Sequence, residues 1–434
     1  MLKVSANGRF LVHDDGRPFF YLGDTAWELF HQLDREAAAL YLEDRAAKGF
    51  TVIQAVVLAE NDGLRVPNAF GDLPLHGEDP TRPNEVYFAH VDWVVERAAA
   101  LGLYVGMLPT WGDKWNMKWG KGPEVFSAAN ARTYGQWLGQ RYADAPIIWI
   151  LGGDRPVEND TQRAIISATA AGLRAGDGGQ HLIGFHPQGG QASSQYFHEQ
   201  PWLDFNMVQS GHTRNTPNWR FMEDDYARMP FKPCMDAEPG YEDHPAAFKL
   251  ENGYLDDYDV RKSLYWALFA GAHGHTYGCH PIWQFWQPGH HPYSFVRRSW
   301  RQALDLPGAA QVGHARALML SRPFLDRVPD QSLIASAQAE GAYHMCATRA
   351  ADGSYALIYL PYYNPVTIDL TRLSGETVAA HWYNPRNGTA HRIGSQPRTA
   401  QATFEPPTGG PDWVLVLDDA MHDHLAPGVG LVKQ

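Results

Sequence analysis

Cysteine is nearly absent: 434 residues contain three, Cys234, Cys279 and Cys346. They lie far apart and form no CxxC pair, so the sequence offers neither a thiolate zinc site nor a disulfide framework. Cys234 and Cys279 sit in apolar or crowded surroundings and read as small buried residues. Long hydrophobic runs are missing as well. No stretch of 18 apolar residues appears, which leaves no candidate membrane-spanning helix. The start, MLKVSANGRF, lacks the charged-then-apolar pattern of a secretory signal. The expectation is a cytoplasmic enzyme, or a secreted one if a leader has been removed. Basic charge is in deficit, with 36 Lys and Arg against 48 Asp and Glu and a formal net charge of −12. An acidic surface attracts neither nucleic acid nor an anionic membrane, which argues against both as partners. The 20 histidines include no HExxH or other compact ligand spacing. His186, His212, His273, His275 and His280 are therefore read as site lining and satisfied core imidazoles, and neither a metal nor an organic cofactor is expected.

What the chain has in quantity is aromatic surface: 15 Trp, 20 Tyr and 19 Phe, more than a core requires and of the kind that lines clefts where flat sugar faces stack. It also has a rhythm. Apolar runs recur at 19–23, 51–58, 103–109, 147–151, 181–186, 204–209, 231–237 and 271–277. Helical patterns fall between several of them, at 34–48, 88–101, 127–142, 160–175 and 257–270. Asp34 is placed to cap the first of these helices and Gly49 to end it. Eight strands alternating with helices over about 300 residues predict a (β/α)8 barrel. A doubly wound open sheet would want GxGxxG after its first strand, and LGDTAW is not that. Beyond about residue 327 the runs become short and alternating, divided by turns such as Asp352-Gly353 and Asn387-Gly388, which is the cadence of an antiparallel sandwich. The predicted architecture is α/β. A (β/α)8 TIM barrel spans 1–327, opening with a short hairpin, and a small antiparallel β-sandwich spans 328–434.

In a barrel the chemistry sits at the C-terminal ends of the strands. Those ends are polar here: Asp24, Thr25 and Trp27 after strand 1, Glu60 and Asn61 after strand 2, and Trp111, Asp113 and Lys114 after strand 3. Asp154 follows strand 4, His186 and Gln188 end strand 5, and Gln209 and His212 end strand 6. Asp236 and Glu238 end strand 7, Tyr277 and His280 end strand 8, and Trp283 and Trp286 lie in the loop beyond. The stretch IIWILGGDRP, 147–156, raises the question most sharply: an apolar strand runs into two glycines and delivers a carboxylate to the rim. Alone, Asp154 would be a helix cap and Glu238, before a proline, a solvated loop charge. Strands 4 and 7, however, lie on opposite sides of an eight-stranded ring, so both side chains can face one mouth. Glycosidic-bond hydrolysis needs such a pair, one acid protonated to assist the leaving oxygen and one ionised to attack or stabilise the sugar cation. Asp236 shares a strand face with Glu238 and is read as a layer residue bonded to a neighbouring strand.

Four motifs, GDTAW after strand 1, WILGGDRP after strand 4, DAEPGYE after strand 7 and GAHGHTYG at strand 8, resemble the apiosidase-like glycoside hydrolases, family 140, in order through most of residues 3–325. The trailing segment resembles the small β domain commonly attached to such barrels and called a "putative collagen-binding domain"; nothing in the sequence supports collagen as its ligand. The resemblance implies a retaining hydrolase with an Asp acid/base after strand 4 and a Glu nucleophile after strand 7, positions filled by Asp154 and Glu238. It also implies apiose-containing substrates, in particular the apiosyl branches of the pectic polysaccharide rhamnogalacturonan II. Larger barrel hydrolases usually carry Asn-Glu after strand 4, where this chain has Gly153-Asp154. Trp27, Trp111, Trp283 and Tyr241 are expected to wall the site. Asp24, Asn61, Lys114, His186 and Gln209 are expected to meet sugar hydroxyls, with Tyr277 among the lining residues. The insertion at 61–90 and the loop at 280–298 are the candidates for closing one end of the cleft. Three other readings stand beside this one: a carbohydrate-binding barrel without catalysis, a glycosidase of the same fold acting on another pentoside, and a metal-dependent hydrolase using the His-rich strand 8.

Overall fold

A computed structural model describes residues 1–430. Three short antiparallel strands, Leu2–Val4, Leu11–His13 and Pro18–Phe19, open the chain. Eight parallel strands follow and are numbered here as barrel strands 1 to 8: Tyr21–Thr25, Val52–Leu58, Tyr104–Thr110, Ile147–Gly152, Ile183–His186, Asn206–Gln209, Cys234–Asp236 and Gly274–Tyr277. Strand 1 pairs with both strand 2 and strand 8, and the ladder runs on to strand 5 at one end and strand 6 at the other. Across the remaining gap the backbone N–H of Asp204 donates to the Ile183 carbonyl at 2.9 Å. The Ile183 N–H in turn donates to Asp204 Oδ2 at 2.7 Å, so the ring is nearly closed. A ninth strand, Gln191–Ala192, lies antiparallel on strand 6.

The strands read as unbroken apolar runs because both of their faces are covered. Tyr21, Val52, Val56, Ile148, Ile150, Met207 and Met235 fill the inside of the ring. Leu22, Ile53, Val105, Trp149, Phe185 and Val208 face the helices. Helices Arg35–Ala47, Glu85–Ala100, Ala128–Arg141, Asp160–Asp177 and Asp257–Phe269 start at Asp34, Asn84, Ser127, Asn159 and Asp256, each accepting a backbone N–H that the first turn would leave unpaired. A further helix, Asn218–Ala227, joins strands 6 and 7; it follows Pro217 without a side-chain cap and lies outside the helical patterns read from the sequence. Among the described residues no helix is long and apolar enough to cross a membrane. All three cysteines are free and buried.

The C-terminal part is a six-stranded antiparallel sheet beside a two-stranded one, Val366–Asp369 with Gln401–Phe404. The six-stranded sheet begins at Arg327–Pro329, and its other strands include Tyr355–Leu360, Thr377–Asn384 and Trp413–Asp419. Trp382 and Trp413 belong to its core and form no exposed platform. This unit is clamped to the barrel. Arg261, on the helix between strands 7 and 8, meets Asp412 through two parallel bonds of 3.0 Å. Arg386 and the Tyr359 hydroxyl also donate to Asp412, at 3.1 and 3.2 Å. Trp266 Nε1 donates to the His344 carbonyl at 2.7 Å, and the Tyr265 and Tyr359 rings stack 4.8 Å apart. Arg261 and Asp412 are 1% and 0% exposed, so removing Asp412 leaves Arg261 with only the partly exposed Asp257 and Gln311 and takes the acceptor from Arg386 and Tyr359 as well. Asp412→Ala is therefore expected to cost about 3–5 kcal/mol of stability, read by urea unfolding; a loss below about 1 kcal/mol would mean that the contact holds nothing together.

Candidate active site

The turn after strand 4 answers the question raised by IIWILGGDRP. Gly152 and Gly153 take φ of +97° and +105°, a region that side chains other than hydrogen rarely enter. A Cβ on Gly152 would overlap the carbonyl oxygen of His186, and one on Gly153 would press on Gly112 and Trp111. The chain can therefore turn tightly between the ends of strands 3 and 5. Asp154 itself has φ +51°, a strained conformation for a residue with a side chain and one that concentrates at functional sites. It caps no helix: the next one starts at Asn159. Arg155, fully buried, donates from Nη1 to the Asp154 carbonyl at 2.8 Å and to its Oδ2 at 3.3 Å.

Asp154 and Glu238 line one cavity of about 620 Å³ at the rim, together with Trp27, Glu60, Asn61, Trp111, Gln209, Tyr241 and Trp283. Their surroundings push the two acids in opposite directions. Burial and the charge of Glu238 raise the Asp154 carboxyl to about 6, against the pull of Arg155, His186 and a hydrogen bond from Gln209. Burial would raise Glu238 too, yet His186 and His212 outweigh it and hold that carboxyl down at about 2. His186 Nε2 lies 3.0 Å from one Glu238 oxygen and His212 Nε2 lies 3.2 Å from the other. The His186 contact is off the line of a well-formed hydrogen bond, so proximity of the ring dipole or charge carries it. Trp27 Nε1 donates to the Tyr241 hydroxyl at 3.2 Å, and that hydroxyl is hydrogen-bonded to Glu238. Asp236, one residue past the inward Met235, turns to the helix layer instead of lying under the acids, accepting from Ser210 Oγ at 2.7 Å and from Asn218 Nδ2 on the following helix at 2.9 Å.

Six of the residues expected to meet substrate thus line the cavity: Trp27, Asn61, Trp111, Gln209, Tyr241 and Trp283. Four do not. His186 is fully buried outside the lining, with Nε2 3.0 Å from Glu238, and offers no face to a sugar. Strand 1 runs to Thr25, two residues further than its apolar run suggests, so the alternation of a strand turns Asp24 outward to the helices. There it accepts from Tyr41 Oη at 2.5 Å and Arg45 Nε at 2.6 Å. Lys114 is buried in a 3-10 turn, with Nζ donating to Asp113 at 2.6 Å and to the Ala59 carbonyl at 2.9 Å. Tyr277 also points outward and donates to Glu242 at 2.5 Å.

Other residues of the site carried no signal of their own. Glu60 stands among the polar strand ends with no role of its own, and His212 reads there only as site lining or a core imidazole. Trp119, 55% exposed, comes from an aperiodic loop and lies over the Arg155 guanidinium at 4.5 Å. The opposite wall is built by His212, stacked on His244 at 4.4 Å, with Phe248 against both rings. Tyr293 and Ser294, from the 280–298 loop, close that side, and their carbonyls accept from His280 Nε2 at 3.1 and 2.9 Å. That bond fixes the His280 tautomer, leaving Nδ1 to accept from Trp283 Nε1 at 3.1 Å. Among the described residues no group of three or more His, Cys, Asp or Glu is arranged to hold a metal ion. Because the turn depends on an absent Cβ, Gly152→Ala should cost at least about 1–3 kcal/mol from backbone strain alone. Chemical unfolding measures it, and a variant as stable as the parent would show that the turn is not under this constraint.

The chain has clear relatives. The family described as "Apiosidase-like, catalytic domain" matches residues 5–326, and "Putative collagen-binding domain of a collagenase" matches residues 328–418. No curated protein matches it. Among solved structures, one described as a glycoside hydrolase is 36% identical, with 98% of each chain covered and a TM-score of 0.90. Another, a glycoside hydrolase family 5 protein from Bacteroides vulgatus ATCC 8482, is 35% identical over 99% of this chain and 97% of its own, with a TM-score of 0.91. A barrel with two unlike carboxyls in one aromatic cavity, followed by this β unit, belongs to the apiosidase-like family, and the protein is a glycoside hydrolase.

Proposed function

We propose that this protein is a retaining glycoside hydrolase that cleaves apiose-containing plant glycosides, with Asp154 as acid/base and Glu238 as nucleophile. The observation that carries the assignment is the opposite displacement of two carboxyls in one cavity. A general acid must hold its proton near neutrality, and Asp154 is the group raised toward it. A nucleophile must be ionised, and Glu238 is the group kept charged by two imidazoles and a phenol. In the first step Asp154 gives its proton to the departing oxygen while a Glu238 oxygen bonds to the anomeric carbon. Asp154 then takes a proton from water, the water oxygen attacks the same carbon, and Glu238 leaves as carboxylate.

The Gly153-Asp154 pair, in place of the Asn-Glu of larger barrel hydrolases, favours family 140 and an apioside over a family 5 substrate. Rhamnogalacturonan II side chains and apiosylated small molecules are the substrates to try first. Trp119, lying on Arg155 beside the acid, would face the leaving group, since the acid must reach the leaving oxygen.

Asp154→Asn and Glu238→Gln should each lower kcat/KM by at least about 10²–10³ on natural substrates. With a nitrophenyl leaving group, which needs no protonation, the first step should survive in Asp154→Asn and fail in Glu238→Gln. The acid works only when protonated, so kcat/KM should be held below pH about 6 and fall as pH rises through the Asp154 value. Parental turnover in both variants would end this reading.

A further inference from the structure

We propose that Glu60 serves the site as a neutral carboxylic acid, donating a hydrogen bond to an oxygen of the bound substrate, and not as a third carboxylate. This rests on the reading of the cavity as the place where substrate binds. Glu60 stands just past the end of strand 2 and lines the cavity beside Asp154, with 21% of its side chain exposed.

The charges around it are otherwise spoken for. From the loop after strand 1, Glu28 accepts from His31 Nδ1 at 2.9 Å and from Asn61 Nδ2 at 3.1 Å. From the loop after strand 3, Asp113 accepts from Lys114 Nζ at 2.6 Å and from the backbone N–H groups of Lys121 and Gly122 at 3.1 and 2.9 Å. From the end of strand 4 come Asp154 and Arg155. Arg155 spends Nη1 on Asp154, and its Nη2 stays 3.7 Å from Glu60 Oε1, outside hydrogen-bond reach. From the late loop Tyr293 contributes a phenol that feels Glu28, Glu60 and Asp62. Asp154 and Glu60 therefore share one guanidinium between two carboxyls, while Glu238 engages the two imidazoles. The one cation near Glu60 is divided between it and Asp154, bonding the latter and only approaching the former, so retaining a proton on Glu60 is the lower-energy state. Burial, then the charge of Asp154, raise its carboxyl to about 8. A neutral acid can donate as well as accept, which an anion cannot, so Glu60 suits a substrate oxygen that requires a donor.

The test has a direct arm and a kinetic one. Carbon-13 NMR of side-chain carboxyls in the full-length protein, with Glu60→Gln identifying the signal, should show Glu60 titrating near pH 8. The midpoint should fall in Asp154→Asn, which removes the neighbouring charge. For a nitrophenyl apioside, KM of the parent should rise as pH passes about 8, while Glu60→Gln, whose amide always donates, should flatten that rise. Glu60→Ala should raise KM at every pH with a smaller effect on kcat. A Glu60 carbon titrating below pH 6, or a Glu60→Gln variant whose KM follows pH as the parent's does, would overturn the inference. Parental turnover in Asp154→Asn and Glu238→Gln would instead end the proposed function, and the NMR midpoint would still decide the protonation of Glu60.

Discussion

A buried acid that stays ionised organises this rim. Glu238 is nearly withdrawn from water, and a lone carboxylate in that position would take up a proton. It keeps its charge because groups from four separate strand ends surround it: His186 from strand 5, His212 from beyond strand 6, Tyr241 from its own loop, and Trp27, after strand 1, bonded to Tyr241. Only a ring of parallel strands brings residues so far apart in the chain to one atom. The same charge then acts outward, raising Asp154 across the cavity. The difference between the two acids is thus a property of the closed barrel and resides in no single residue.

Much of the frame was legible in the sequence, because strands covered on both faces must be apolar throughout. IIWIL and TVIQAVVL could hardly be anything but interior strands, and their number and spacing point to a ring. The position of Asp154 could be read for a similar reason. Two glycines after a buried strand mark a turn that no larger residue can make, and whatever follows is presented to the opening.

What could not be read was direction. Asp24 directly follows an apolar run, but the strand's hydrogen bonding carries on to Thr25, and one step in register moves a side chain from the mouth to the helix layer. Lys114 looked like a cation offered to substrate, yet the acid beside it draws Nζ inward. Tyr277 ends strand 8 on the wrong face. In the same way, Trp119 and Arg155 matter through a contact between two loops that have no periodic pattern to betray it. Local sequence encodes where a strand stops far better than which way its last residue looks.

The bidentate contact between Arg261 and Asp412 has a consequence for descent. The guanidinium is seated on the helix joining strands 7 and 8, while its carboxylate belongs to the trailing sheet. A recombination event that grafted a different tail onto this barrel would take away the buried carboxylate and leave Arg261 with only Asp257 and Gln311 as partners. Lineages can therefore trade such tails only if the barrel helix changes with them, and the two halves are inherited as one object.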